Sequence, residues 1–357
     1  MNKKFLLVLL GFLVLIVLVF FLCKCFLIKK EISNQNTENI ILENNVVSLE
    51  SLTLKQKIAQ MIMVRGDKKD LKFNNLNVGG IFLDRQDSSK GYQELIQSYQ
   101  DSAKIKLLVA TDLEGAWTPF HNPTPSQIFP YFSDINTSEQ AYEVGLAHGQ
   151  ELKNIGFNLN FAPIAEFSDI AYGGRVFLGS EQEVKEKIKN YIRGLNQNAL
   201  GTCKHYPGKA LQKNLHDVSD TQTIGKKDLE LFQVCVDNNI SSIMVSHQIV
   251  NGEIDSQKLP SSVSKEVIST LDDFNGLIIA DEINMKGLTD FYPKKIDMYV
   301  DLINSGEQLI LDFYLNPKEV YLLIERIEEK VQEGVILEED IDKAVKRILE
   351  TKGYLVA

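Results

Sequence analysis

Positive charge is in short supply in this chain of 357 residues: 38 Lys and Arg stand against 48 Asp and Glu, a formal net charge of −10. A nucleic-acid partner needs a basic face to neutralise phosphates, so this balance argues against one. Cysteine is scarce as well, with only four. Cys23 and Cys25 sit at the edge of an apolar run, and Cys203 and Cys235 lie within apolar segments. That setting reads as two buried thiols in the body of the protein rather than a disulfide or a metal site. No His/Cys spacing of the metal-binding kind occurs, and no cofactor is implied. After Ser51 there is no low-complexity break, which leaves one domain from there to Ala357. The rest, 44% hydrophobic and 24% charged, is an ordinary globular composition.

One long apolar run stands apart, Phe5 to Leu22, flanked by Lys3, Lys4, Lys24, Lys29 and Lys30. At about 1.5 Å per residue it reaches about 27 Å, enough to cross a bilayer core. A cleaved signal peptide has a shorter core and small residues at its cleavage site. Here Phe20-Phe21-Leu22 precedes Cys23, which also speaks against lipoprotein processing. The expectation is an uncleaved transmembrane helix within residues 1–30, a single-pass anchor in the cell membrane. Lysines on both sides leave the positive-inside rule nearly silent, and the body is expected outside the cytoplasm. Glu31 to Glu50, polar and free of Trp, Phe and Tyr, reads as a tether over 31–50. Residues 51–357 form the domain.

Within that domain, short apolar runs without alternation appear at Ile58–Val64, Val78–Leu83, Ile105–Thr111, Phe157–Ala162, Leu200–Cys203, Ser241–Val245, Leu277–Ala280 and Gln308–Leu311. Such runs suit strands buried on both faces. Helical patterns separate most of them, at 92–103, 138–154, 181–197, 227–239, 264–271 and 295–304, and two more follow at 318–331 and 338–350. Eight strands alternating with helices predict a (β/α)₈ barrel, with a doubly wound open sheet as the competitor.

Polar residues follow the runs repeatedly: Asp112 and Glu114 after the third, Glu166 after the fourth, Lys204-His205 after the fifth, Ser246-His247 after the sixth, Asp281-Glu282 after the seventh, Asp312 after the eighth. In a barrel these would meet on one rim. Each also has a plainer reading. Asp281 suits a helix N-cap, Asp312 a loop cap, Lys204 a solvated charge, and His247 a satisfied core histidine. A rim of carboxylates, histidines and a lysine suits a hydroxyl-rich substrate, and a pair of acid/base groups suffices for glycoside hydrolysis.

The wording of these segments resembles the barrel domain of family 3 glycoside hydrolases, and specifically the single-domain bacterial β-N-acetylhexosaminidases that act on peptidoglycan fragments. The resemblance is carried by Leu54-Lys-Gln-Lys-Ile-Ala-Gln-Met61, Val78-Gly-Gly-Ile-Phe-Leu83, Asn158-Leu-Asn-Phe-Ala-Pro163, Lys204-His-Tyr-Pro-Gly208 and Ile279-Ala-Asp-Glu-Ile-Asn-Met285. It implies that Asp281 is the nucleophile of a retaining mechanism. It further implies that Asp112, Arg175, Lys204 and His205 hold sugar hydroxyls. The acid/base of this subgroup is a histidine on the loop after the fifth strand, which corresponds here to His216. The plainer reading makes His216 an ordinary loop residue.

The sequence also departs from the family. The aspartate that supports that histidine is replaced by Asn214, leaving Asp217 as its candidate partner. Where the family has Gly-Arg after Asp112-Leu-Glu-Gly115, this chain has Ala116-Trp117, so a substrate-binding arginine is missing. Trp117 either stacks on a sugar ring or packs the loop. The implied activity is removal of β-linked N-acetylglucosamine, or a related β-sugar, from cell-wall or other glycans. The alternative is a catalytically weakened glycan-binding barrel of the cell envelope.

Overall fold

The computed structural model describes residues 13–19, 40–168, 173–208 and 221–357. Eight parallel strands close a barrel: β1 (Ile62–Arg65), β2 (Gly80–Phe82), β3 (Leu108–Thr111), β4 (Leu159–Asn160), β5 (Leu200–Tyr206), β6 (Ser242–Val245), β7 (Leu277–Ala280) and β8 (Leu309–Leu311). They run around the barrel in chain order, and β8 returns to lie beside β1. Each overlaps one of the eight apolar runs. Residues such as Leu277 to Ala280 are buried throughout because one strand face lines the barrel interior and the other lies under helices, so no polar alternation is tolerated. The open-sheet competitor is thereby excluded.

The helices are α1 (Leu54–Gln60), α2 (Lys72–Asn75), α3 (Ser89–Ser102), α4 (Ser138–Ile155), α5 (Glu181–Leu195), α6 (Lys226–Asp237), α7 (Lys265–Ile268), α8 (Lys286–Thr289), α9 (Lys295–Ser305), α10 (Pro317–Gln332) and α11 (Glu338–Thr351). Capping boxes fix several starts: Thr53 with Gln56, Thr137 with Gln140, Ser180 with Glu183, and Asn316 with Glu319 behind a first-turn proline. Because every strand runs the same way, all their C-terminal ends open on one face. A parallel two-stranded pair, Thr221–Ile224 with Ile249–Gly252, stands in the connections after β5 and β6.

Leu42–Glu43 and Val46–Val47 form a hairpin through Asn44 and Asn45, whose φ values of 50° and 66° lie in a region that asparagine tolerates. Val46–Val47 also pairs in parallel with Leu355–Val356. Ile40 and Val47 are buried in the core. Residues 40–47, inside the stretch expected to be a tether, are therefore part of the folded unit.

Two expectations are corrected. Among the described residues no helix is long and apolar enough to cross a membrane. Of the run Phe5–Leu22, residues 13–19 are described as helix, and seven residues reach only about 10 Å. The rest of the run lies outside the described residues. The expected transmembrane helix, the membrane as a partner and the cell-membrane placement do not stand. The second correction is covalent. Cys203 and Cys235 are buried, as expected, but they form a disulfide with a Cα–Cα distance of 6.5 Å. Its physical basis is packing: α6 lies back against β5 and brings the two residues within bonding range.

Candidate active site

The barrel mouth is organised around Lys204, near the end of β5 and 3% exposed. Its Nζ donates to Asp112 Oδ1 at 2.6 Å and lies 2.7 Å from Glu114 Oε1. Glu114 is fully buried and accepts from Arg175 Nε through its other oxygen. Two cations and two carboxylates thus form one balanced cluster. Burial opposes the charge of Lys204, but Asp112 and Glu114 outweigh it and raise its pKa. Burial likewise opposes the charge of Glu114, yet Lys204 and Arg175 hold that carboxyl below its ordinary value. Desolvation pushes Asp112 up against the pull of Lys204. The plain reading of Lys204 as a solvated charge is excluded.

Beside this cluster stand His205 and Asp281. Asp281 follows β7, where its backbone N–H donates to Val245 O at 3.1 Å. One carboxylate oxygen accepts the Glu282 N–H at 2.8 Å, and the other lies 3.9 Å from His205 Nε2. Burial works against its charge, but His205, His247, the Glu282 amide and Lys204 together keep its pKa below the usual carboxylate value. The group is an ionised carboxylate at neutral pH. His205 is driven the other way, down to about 4, chiefly by burial and against the attraction of Asp281. It is neutral at pH 7. The peptide bond between Lys204 and His205 is cis.

His247 is fully buried and has the role of a satisfied core histidine. Its Nε2 donates to the Glu282 carbonyl at 3.1 Å, which leaves Nδ1 to accept from Ser262 Oγ at 2.7 Å. That bond secures the backbone next to Asp281. Asp312 is not a loop cap. It is buried and gathers Lys295 Nζ at 2.9 Å, Asn284 Nδ2 at 2.9 Å and Tyr299 Oη at 3.1 Å, tying the turn after β7 to β8 and α9. Phe313, just beyond, stacks on Phe82 with ring centroids 4.6 Å apart, and Phe82 stacks on Phe161 at 5.9 Å.

Asp112, Arg175, Lys204, His205 and Asp281 are therefore brought together on one rim. His216 and Asp217, with Asn214, lie outside the described residues. Glu114 was expected on the rim from the sequence but was given no role there. It was visible only as the second carboxylate two positions after Asp112, and its bond to two cations depends on β5 and the 173–176 loop converging on it. Two further buried carboxyls were not assigned a role. Glu166 is pushed well above its ordinary pKa by burial and then by Asp228, and Glu307 by burial and then by Asp281. Among the described residues no cluster of His, Cys, Asp or Glu is arranged to hold a metal ion.

The model of the glycosyl hydrolase family 3 N-terminal domain matches residues 53–351. The chain belongs to glycosyl hydrolase family 3. Membership classes it as a glycoside hydrolase. Among its relatives is a β-N-acetylglucosaminidase/β-glucosidase from Cellulomonas fimi, 23% identical over 304 residues, which cover 78% of this chain and 53% of that protein. The chain thus spans about half the length of this relative. A β-hexosaminidase from Idiomarina loihiensis is 25% identical over 251 residues, 65% of this chain and 75% of the relative. Among solved structures, a family 3 β-N-acetylglucosaminidase from Paenibacillus sp. FPU-7 superposes with a TM-score of 0.75 at 26% identity, covering 85% of this chain and 62% of that one.

Proposed function

We propose that this family 3 domain is a retaining β-glycosidase, with β-linked N-acetylglucosamine of cell-wall or other glycans as its preferred substrate. The domain that carries the activity is taken as residues 51–357. The observation that carries the reading is Asp281: a part-buried carboxylate following β7, held below its ordinary pKa and standing beside His205 and the paired charges of Lys204, Asp112, Glu114 and Arg175. Asp281 attacks the anomeric carbon, the glycosidic C–O bond breaks, and a covalent glycosyl–enzyme ester forms. His216 delivers a proton to the departing oxygen, then takes one from the water that hydrolyses the ester. Asp217 holds the His216 tautomer in place of the carboxylate lost at Asn214. Lys204, Asp112, Arg175 and His205 bind sugar hydroxyls, and neutral His205 does so without competing for the charge of Asp281. Both the β-N-acetylglucosaminidase and β-hexosaminidase names of the relatives support the sugar class.

The test is turnover of aryl β-N-acetylglucosaminide, β-glucoside and β-xyloside by the purified chain, with Asp281→Ala alongside. The acetamido sugar should be cleaved fastest and the variant should be inactive on all three. Asp281→Ala at the parent rate would sink the mechanism. Binding of these sugars without turnover by the parent chain would instead favour the weakened glycan-binding barrel, whose motivation is the set of departures at Asn214, Ala116 and Trp117.

A further inference from the structure

Trp117 is the only tryptophan in the sequence, and it is 53% exposed beside the most buried charges of the site. Exposing the largest aromatic side chain is unfavourable unless something covers it. Its position is fixed by the backbone. Glu114 N–H donates to Trp117 O at 2.8 Å, and Ala116 N–H donates to Pro130 O at 2.9 Å. Gly115, at φ +67°, makes the turn possible, and a Cβ there would lie 2.4 Å from Pro130 O. The neighbouring loop is tied in by Ser133 N–H donating to Gly174 O at 3.2 Å. Gly174, at φ +91°, lets the half-exposed Tyr131 ring lie against the backbone, because a Cβ would meet it at 2.6 Å. The indole is therefore held on a rigid turn rather than a loose one.

Arg175 lies over that indole, with Cζ 5.1 Å from the ring centroid, while its Nε pairs with Glu114. Glu114 in turn binds Lys204, and Lys204 binds Asp112. A half-exposed indole, with Arg175 over one of its faces, thus continues directly from a charge-balanced polar cluster. Charges already paired with one another offer a charged ligand less than an unpaired charge would. A neutral ring with hydroxyls on its edge and C–H groups on its face matches both halves.

We propose that Trp117 is a specificity-determining residue of this site: its indole takes the C–H face of a neutral pyranose ring of the glycan. The inference rests on the glycosidase reading above. It deepens that reading by trading the directional donor of an arginine for a contact that depends on ring shape. The selected substrate presents an uncharged, unbranched ring face to the β3 loop.

Because Trp117 is alone, the intrinsic fluorescence of the full-length chain reports on it directly. Titration with methyl β-N-acetylglucosaminide, β-glucoside and β-xyloside should give a saturable blue shift and reduced acrylamide quenching. Sorbitol, which has hydroxyls but no ring, should give neither. Trp117→Ala should raise KM up to about tenfold, with most of the loss in kcat/KM appearing in KM. Trp117→Tyr should recover most of it. A glycoside that is bound or turned over while emission stays unchanged, together with a parental KM for Trp117→Ala, overturns the inference and leaves the glycosidase reading intact. Absence of both binding and turnover for every glycoside overturns the two together.

Discussion

Breaking the Cys203–Cys235 bond should cost the protein a measurable and calculable share of its stability. The two residues are 32 positions apart and both fully buried. In the chain-entropy model, a closed loop of this size removes about 12–13 cal/mol/K from the unfolded ensemble, or roughly 3.7 kcal/mol at 25 °C. The double variant Cys203→Ala/Cys235→Ala loses this constraint and some buried sulfur packing, so a loss of about 3–5 kcal/mol is expected. With a urea m-value of about 3 kcal/mol/M, the unfolding midpoint followed by circular dichroism should fall by about 1–1.7 M. Adding reductant to the parent chain should move it the same way, and mass spectrometry should find the Cys203 and Cys235 peptides unalkylated until reductant is present. A midpoint unmoved by either treatment, with both peptides alkylated from the start, would refute the reasoning and restore the two buried thiols suggested by sequence.

Against the opposite contribution of Glu166 and Glu307, whose raised pKa favours the folded chain as pH falls, buried His148 and part-buried His205, with pKa values lowered from 6.5 to about 3 and about 4, each contribute stability that is lost on mild acidification. The unfolded chain takes up these protons below about pH 6.5 while the folded chain does not, so the contribution is full above pH 7 and drains toward pH 4. Each should cost about 2 kcal/mol between pH 7 and 5. Urea curves of the parent and of His148→Asn at both pH values check this: between pH 7 and 5 the variant should lose about 2 kcal/mol less than the parent, and an identical change in both would refute it. Lys204→Met leaves Asp112 without its lysine partner and Glu114 with Arg175 alone. It should destabilise the chain by about 3–5 kcal/mol and abolish turnover, and adding Glu114→Gln should return part of the stability but none of the activity. A chain beginning at Asn39 should match the parent in thermal melting, whereas one beginning at Leu52 loses the burial of Ile40 and Val47, worth about 3–5 kcal/mol. His216→Ala should cripple poor leaving groups while sparing dinitrophenyl glycosides. Added azide should then speed release of the trapped sugar, and equal losses on both substrate types would remove His216 from the acid/base role.

The barrel was legible because its signal is local. Leu277-Ile-Ile-Ala280 is apolar on both faces only where a strand is covered on both sides, and the first polar residue after it, Asp281, marks the end that faces solvent. The same rule located Lys204 and Asp112. Features that need tertiary knowledge were not legible. The distance between Cys203 and Cys235 is set by how α6 returns against β5, and no count of apolar neighbours reveals it. Glu114 looks like any loop carboxylate until Lys204 and Arg175 arrive from elsewhere in the chain. Asp312 suited a cap because its three partners come from the turn after β7 and from α9. The apolar run Phe5–Leu22 carried the expectation of a span on hydropathy alone, whereas among the described residues, which include only 13–19 of that run, no helix is long and apolar enough to cross a membrane.

The small sheet that joins Val46–Val47 to both Leu42–Glu43 and Leu355–Val356 places its two outer strands side by side around one inner strand. Strand spacing puts those outer strands about 10 Å apart. A linker of about four residues from Ala357 to Ile40 would bridge that gap. Joined there, the fold becomes a ring without a privileged starting point. New ends can then be opened in an exposed connection on the far side of the barrel, giving permuted chains in which translation order and the order of strands around the barrel are uncoupled.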